Sequence, residues 1–182
     1  MTCERLPRGI VQVYTGDGKG KTTAALGLAL RALGAGLKVA FLQFVKGGVA
    51  TSELAVVARL APRLWLARFA DEATPFSLGR GEPSEKDRAA AARGWDVARR
   101  VMASGAWDVV VLDEIANACR AGLLQVEEVV AGIQARPEHV EVICTGRRAP
   151  PQLLAIADLV TEMKCVKHPY DLGLVARRGI EF

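Results

Sequence analysis

The sequence predicts an α/β fold, with a mostly parallel sheet flanked by helices in one domain spanning residues 1–182. Two observations carry this. Short, continuous apolar runs alternate with amphipathic segments along almost the whole chain, as they do when buried parallel strands are joined by crossover helices. A glycine-rich turn, Thr15-Gly16-Asp17-Gly18-Lys19-Gly20-Lys21-Thr22-Thr23, stands between the first apolar run and the first helical segment. The length of 182 residues suits one domain with a sizeable core, and a hydrophobic content of 51% excludes disorder over much of the chain.

In order, buried strands are expected at Ile10–Tyr14, Val39–Phe44, Leu64–Phe69, Val109–Leu112, Val140–Thr145 and Leu159–Met163. Helices are expected at Thr22–Leu33, Ser52–Leu60, Glu85–Ala103, Val126–Gln134 and Pro151–Ile156. Gly34 and Gly36 end the first helix and turn the chain towards the second strand. Ser84, with Asp87 three residues on, predicts an N-cap for the long central helix. Residues 71–83 break the rhythm with Pro75, Gly79, Gly81 and Pro83, and are expected to form a mobile loop. Right-handed crossovers would place the loop after each strand along one sheet edge, where open α/β folds bind ligands.

The glycine-rich turn ends in Gly-Lys-Thr, the form in which a chain grips a triphosphate. Glycines let backbone N–H groups converge on phosphate oxygens, and the helix N-terminus adds partial positive charge. The expected nucleotide-binding set is Gly16, Asp17, Gly18, Lys19, Gly20, Lys21, Thr22 and Thr23, with Lys21 on the outer phosphates and the Thr22 hydroxyl on Mg²⁺. Thr15 occupies the first glycine position of G-x-x-x-x-G-K-[ST]. Three nearby glycines compensate, so this reads as a variant loop of the P-loop (RecA-like) architecture and not as a turn that binds nothing.

Val109-Val110-Val111-Leu112-Asp113-Glu114 describes a buried strand that delivers carboxylates to the same edge. Such an acid can hold Mg²⁺ opposite the loop Thr, and spacing does not choose between Asp113 and Glu114. Thr145-Gly146-Arg147-Arg148 follows another strand; Arg147 could neutralise phosphate charge, whereas Arg148 reads as a solvated side chain. Lys46, before Gly47-Gly48, ends the second strand and fits a phosphate contact or a solvent-facing lysine equally. His139 and His168 read as satisfied or surface residues, since no nucleophile stands near either. A reaction at ATP that needs no protein base would leave this inventory of cradle, metal and arginine.

Charge and cysteines narrow the class. Residues 1–50 carry Arg5, Arg8, Lys19, Lys21, Arg31, Lys38 and Lys46 against Glu4 and Asp17, a bias suited to a small polyanion. With 5% aromatic residues and no basic stripe, nucleic acid is not expected as a partner. Cys3, Cys119, Cys144 and Cys165 form no C-x-x-C pair, and neither a zinc site nor a disulfide framework is indicated. Cys119 and Cys144 read as buried free thiols. No secretory signal opens the chain and no apolar run is long enough to span a bilayer, so a cytoplasmic, membrane-free protein is expected.

The loop, continued by Ala24-Ala25, with Gln43-Phe44-Val45-Lys46-Gly47 and Val111-Leu112-Asp113-Glu114, resembles the phosphate-loop type of corrinoid (cob(I)alamin) ATP adenosyltransferase. The likeness continues through Ala135-Arg136-Pro137-Glu138-His139, Thr145-Gly146-Arg147 and Ala157 to Met163. It closes with Val166-Lys167-His168-Pro169-Tyr170-Asp171 and Gly179-Ile180-Glu181-Phe182, and is weakest between Ala50 and Trp107. The resemblance implies transfer of the 5′-deoxyadenosyl group of ATP to reduced cobalt, with release of triphosphate. It implies catalytic roles for Lys21 and Arg147, and Thr22 and Glu114 as preferred Mg²⁺ contacts. Phe76 would wall off the corrinoid, and the partners would be a second copy of the chain and an electron-donating flavoprotein. In the family the mobile loop carries Phe-Thr-Trp; here Phe76-Ser77-Leu78 puts Leu78 in place of the Trp, and Gly79 to Pro83 also depart from the pattern. Little chain precedes the first strand, and Arg148 stands where a glycine is usual. Without the resemblance, the loop and the acids also fit a P-loop ATPase, a small-molecule kinase, or a binding module without turnover.

Overall fold

The structure, a computed structural model, describes residues 5–45, 52–70 and 82–180. Along the chain run Val11–Thr15 (β1), Lys21–Gly34 (α1), Val39–Phe44 (β2), Leu54–Leu60 (α2), Leu64–Phe69 (β3), Glu85–Ser104 (α3) and Val109–Asp113 (β4). Ile115–Arg120 (α4), Val126–Gln134 (α5), Glu141–Thr145 (β5), Pro151–Ala155 (α6) and Leu159–Glu162 (β6) follow, then a 3-10 turn at Pro169–Leu172. The six strands form one parallel sheet in the order β3-β2-β4-β5-β1-β6. One strand, β5, therefore lies between the strand that leads into the phosphate loop and the strand that ends in carboxylates.

Period-2 alternation sends strand side chains into two cores. Val39, Phe41, Val109, Val111 and Ile143 pack under α1 and α2. Ala40, Leu42, Phe44, Val110, Leu112, Val142 and Cys144 pack under α3, α4, α5 and α6. In α1 the buried positions Ala25, Ala29 and Ala32 recur at helical spacing, and their small side chains bring the helix axis close to the sheet. A reciprocal capping box starts α3: the Asp87 N–H donates to Ser84 Oγ (3.2 Å) and the Ser84 N–H to Asp87 Oδ2 (2.9 Å).

Each of the six expected strands and five expected helices forms. Three corrections follow. Helix α4 was not anticipated, because six residues with apolar side chains nearly all round show no periodicity. Gly34 is the last residue of α1, and Gly36, at φ 88°, makes the turn. β6 is exposed along its length, since at the sheet edge it has a single strand neighbour. The expected mobile loop at 71–83 falls, up to residue 81, outside the described residues, as do Lys46 and Phe76. Among the described residues no helix is long and apolar enough to cross a membrane.

Two predictions arise from this packing. A Cβ on Gly94 of α3 would lie 2.7 Å from Phe69 Cγ and 2.9 Å from Phe44 Cε1. Gly94→Val should therefore lose about 2 kcal/mol or more, because overpacking at the upper end of its ~1–3 kcal/mol range outweighs a few tenths gained in helix propensity. Calorimetry should show Tm lowered by about 4 °C or more; an unchanged Tm would mean that this contact is loose.

Burial, with Glu127 adding to it, pushes the half-buried Cys119 thiol up to about 12, and burial pushes Cys144 higher still. Thiolate is the reactive form, so at pH 8 about one Cys119 in ten thousand is reactive at any moment. Alkylation followed by mass spectrometry should label the exposed Cys165 in the native protein and spare Cys119 and Cys144 until denaturant is added.

Candidate active site

The phosphate loop is braced by the segment that follows β6. The Gly18 N–H donates to Met163 O (2.7 Å) and the Met163 N–H to Thr15 O (2.8 Å). Gly16, at φ 96°, lies so close that a Cβ there would meet Met163 O at 2.4 Å. Thr15 is tolerated in the first glycine position because it is still strand: its side chain is buried and its Oγ1 accepts the Ala149 N–H (3.0 Å). Gly20, at φ 119°, is the N-cap of α1 and offers no side-chain cap, so the first N–H groups of a 14-residue helix are left for a ligand. The Lys21 ammonium turns back over the loop, donating to Gly16 O (2.7 Å) and Gly18 O (2.6 Å).

Register assembles the acid site. Gln43 of β2 stands opposite Asp113 of β4, and the β4–β5 register carries the row on to Thr145. Odd positions of β2, β4 and β5 face α1, where Thr22 waits above the row. Asp113, with no exposed surface, accepts hydrogen bonds from Thr22 Oγ1 (2.9 Å) and Thr145 Oγ1 (2.6 Å) on Oδ1, and from Gln43 Nε2 (3.2 Å) on Oδ2. The next residue leaves the row: Glu114 is left-handed at φ 65° and its N–H donates to Thr145 Oγ1 (2.9 Å). Asn117 then bridges two candidates. Its Nδ2 donates to Glu114 Oε2 and its Oδ1 accepts the Arg147 N–H (3.0 Å).

A cleft of about 560 Å³ opens over these groups. Of the expected residues, Gly18, Lys19, Gly20, Lys21, Thr22, Thr23, Glu114 and Arg147 line it. Three others are not on its lining. Gly16 braces the loop, Asp17 is exposed and pairs with Arg148 (3.5 Å), and Asp113 is buried behind Thr22. Arg148 is thus solvated as expected, though at φ 50° it occupies backbone space that glycine fills without strain. His139 is satisfied by Gly105 O (3.1 Å), but His168 lines the cleft, with Leu26, Ser52, Glu53, Gly179 and Ile180, none of which was expected there. Asn117 was also missed. Its spacing three residues after Glu114 was the available signal, but it needed α4 to mean anything.

The family model for "ATP:corrinoid adenosyltransferase BtuR/CobO/CobP" matches residues 7–182. The chain belongs to this family. The adenosyltransferase is 39% identical to the corrinoid adenosyltransferase of Pseudomonas aeruginosa over 96% of its own length and 84% of that protein. It is 41% identical to corrinoid adenosyltransferase CobA of Salmonella typhimurium (96% and 86%), and 35% identical to a corrinoid adenosyltransferase of a Sinorhizobium species (96% and 81%). Membership makes ATP and a corrinoid its substrates and group transfer its chemistry.

Electrostatics of the adenosyltransferase cleft fit a polyanion. Lys19, Lys21 and Arg147 line it. Burial first, then the nearby Arg147, lowers the Lys21 pKa, against the pull of Glu114, Asp17 and Asp113. The donor set also fits Mg²⁺, which takes one or two carboxylates and leaves its remaining positions to phosphates and water. Thr22 and Glu114 offer hard oxygens, and among the described residues no three His, Cys, Asp or Glu side chains converge as a metal cage. Gln43 Oε1, beside Asp113, is buried and has no hydrogen-bond partner among the described residues, which suits a bound water.

Thr145 serves both Asp113 and the Glu114 N–H, so Thr145→Val should remove one hydrogen bond from each. The expected loss is about 2 kcal/mol or more in urea unfolding, with Thr145→Ser restoring most of it. Equal stability of all three proteins would remove Thr145 from the network.

Proposed function

We propose that the protein transfers the 5′-deoxyadenosyl group of ATP to the reduced cobalt of a corrinoid in cobalamin synthesis, and that the phosphate loop holds the leaving triphosphate. The observation that carries this reading is the composition of the cleft. Among the described residues it presents Lys19, Lys21, Arg147 and the N-terminal N–H groups of α1 to an anionic chain, and two of its candidate bases, Glu114 and His168, already accept hydrogen bonds. Glu114 accepts from Asn117, and the lone pair of His168 Nδ1 is taken by the Tyr170 N–H (3.2 Å). A displacement at C5′ asks for no base. Cobalt(I) supplies the electron pair of the new Co–C bond, and the C5′–O bond breaks with its pair on the triphosphate.

The loop N–H groups, Lys21 and Arg147 then stabilise charge that grows on the departing oxygens. Thr22 and Glu114 would hold Mg²⁺, which neutralises part of that charge; Asp113 positions Thr22 from behind. Phe76, in the family's loop, would wall off the corrinoid. Within this reading the enzyme is a cytoplasmic homodimer supplied with electrons by a flavoprotein.

Lys21→Ala should reduce kcat by about 10²–10³-fold in a protein that still folds. With Mg-ATP and chemically reduced corrinoid, the wild type should release triphosphate and adenosylated corrinoid. ADP and phosphate as the products would replace this reading with the ATPase or kinase one.

A further inference from the structure

His168 stands on a wall of the cleft that comes from the C-terminal part of the chain. Lys19 and Ile180 line the same cleft, and Lys19 Nζ donates to Ile180 O (3.2 Å), which ties that wall to the phosphate loop. The His168 ring is held from one side. Its Nδ1 accepts the Tyr170 N–H (3.2 Å) and so caps the 3-10 turn, whose first residue, Pro169, has a preset φ. A ring that accepts on Nδ1 carries its proton, when neutral, on Nε2. The side chain is therefore a fixed donor and not a base.

Capping does not explain an imidazole here, because Asn, Asp or Ser would cap the turn as well. What His168 adds is a second nitrogen, on a half-buried residue in a cleft that also presents Lys19, Lys21 and Arg147.

We propose that His168 is a ligand of the triphosphate, with Nε2–H donating to a phosphate oxygen from the wall opposite in sequence to the loop. The ligand class it recognises is a polyphosphate chain, not the nucleoside or the corrinoid. Its hydrogen bond strengthens as negative charge moves onto the leaving group. The inference rests on the reading of the cleft as the ATP site.

Two substitutions separate the two nitrogens. Asn puts its amide oxygen near the Nδ1 position and keeps the cap; Gln reaches the Nε2 position and keeps a donor there. Calorimetric binding of Mg-tripolyphosphate should show Kd raised about tenfold or more in His168→Asn and within about threefold of wild type in His168→Gln. Melting should run the other way, with His168→Asn at the wild-type Tm. Wild-type affinity in His168→Asn, or equal loss in both variants, overturns the proposal. Lys21→Ala serves as control: if it loses tripolyphosphate while His168→Asn keeps it, the cleft reading stands and the role of His168 falls. No binding by the wild type overturns both.

Discussion

The Asp113 carboxylate is the constraint on which the site depends. It has no exposed surface, and a buried carboxylate is tolerable when its oxygens are taken up by donors. Its donors come from α1, β2 and β5, so satisfying one charge fixes four elements relative to one another. Thr22 is thereby held at the mouth of the loop, and Glu114, one residue further on, is turned outward into the cleft. The division of labour between the two acids follows from the sheet: period-2 geometry buries one, and the left-handed backbone of the next exposes the other.

That edge of the sheet also concentrates backbone strain. Among the described residues, Val45, Glu114 and Arg148 are the non-glycine residues at positive φ, and they follow the ends of β2, β4 and β5. Each costs about 1–2 kcal/mol, and such residues persist where surrounding contacts over-determine them. For Glu114 those contacts are visible: Thr145 holds its N–H, and Asn117 holds its carboxylate while also holding Arg147. The strained turn, α4 and Arg147 thus act as one piece, and the acid and the guanidinium reach the cleft with their spacing preset. On the other side, an uncapped helix N-terminus and a lysine folded over its own loop present donors that need little rearrangement to meet phosphate.

The fold was legible because its strands are continuous apolar runs, and because the loop is written in consecutive residues. The same holds for Lys21, Thr22 and Arg147, which motif and strand-end position both point to. What was not legible depends on tertiary register. Thr145 and Gln43 look like strand residues until β2, β4 and β5 are aligned and both fall beside Asp113. Asn117 sits on a helix too short for periodicity, and His168 meets the cleft through a segment whose path no local pattern dictates. Asp113 and Glu114 likewise separate only in three dimensions, where one is buried in the row and the other lines the cleft.

The central claim is that the cradle holds a leaving group and that the bond broken is C5′–O. ATP carrying ¹⁸O in the oxygen between C5′ and the α-phosphorus tests it directly. After turnover with reduced corrinoid, mass spectrometry should find all of the label in inorganic triphosphate and none on the nucleoside. Label retained on adenosine or AMP would mean that the enzyme cuts a phosphorus–oxygen bond, and would contradict the account.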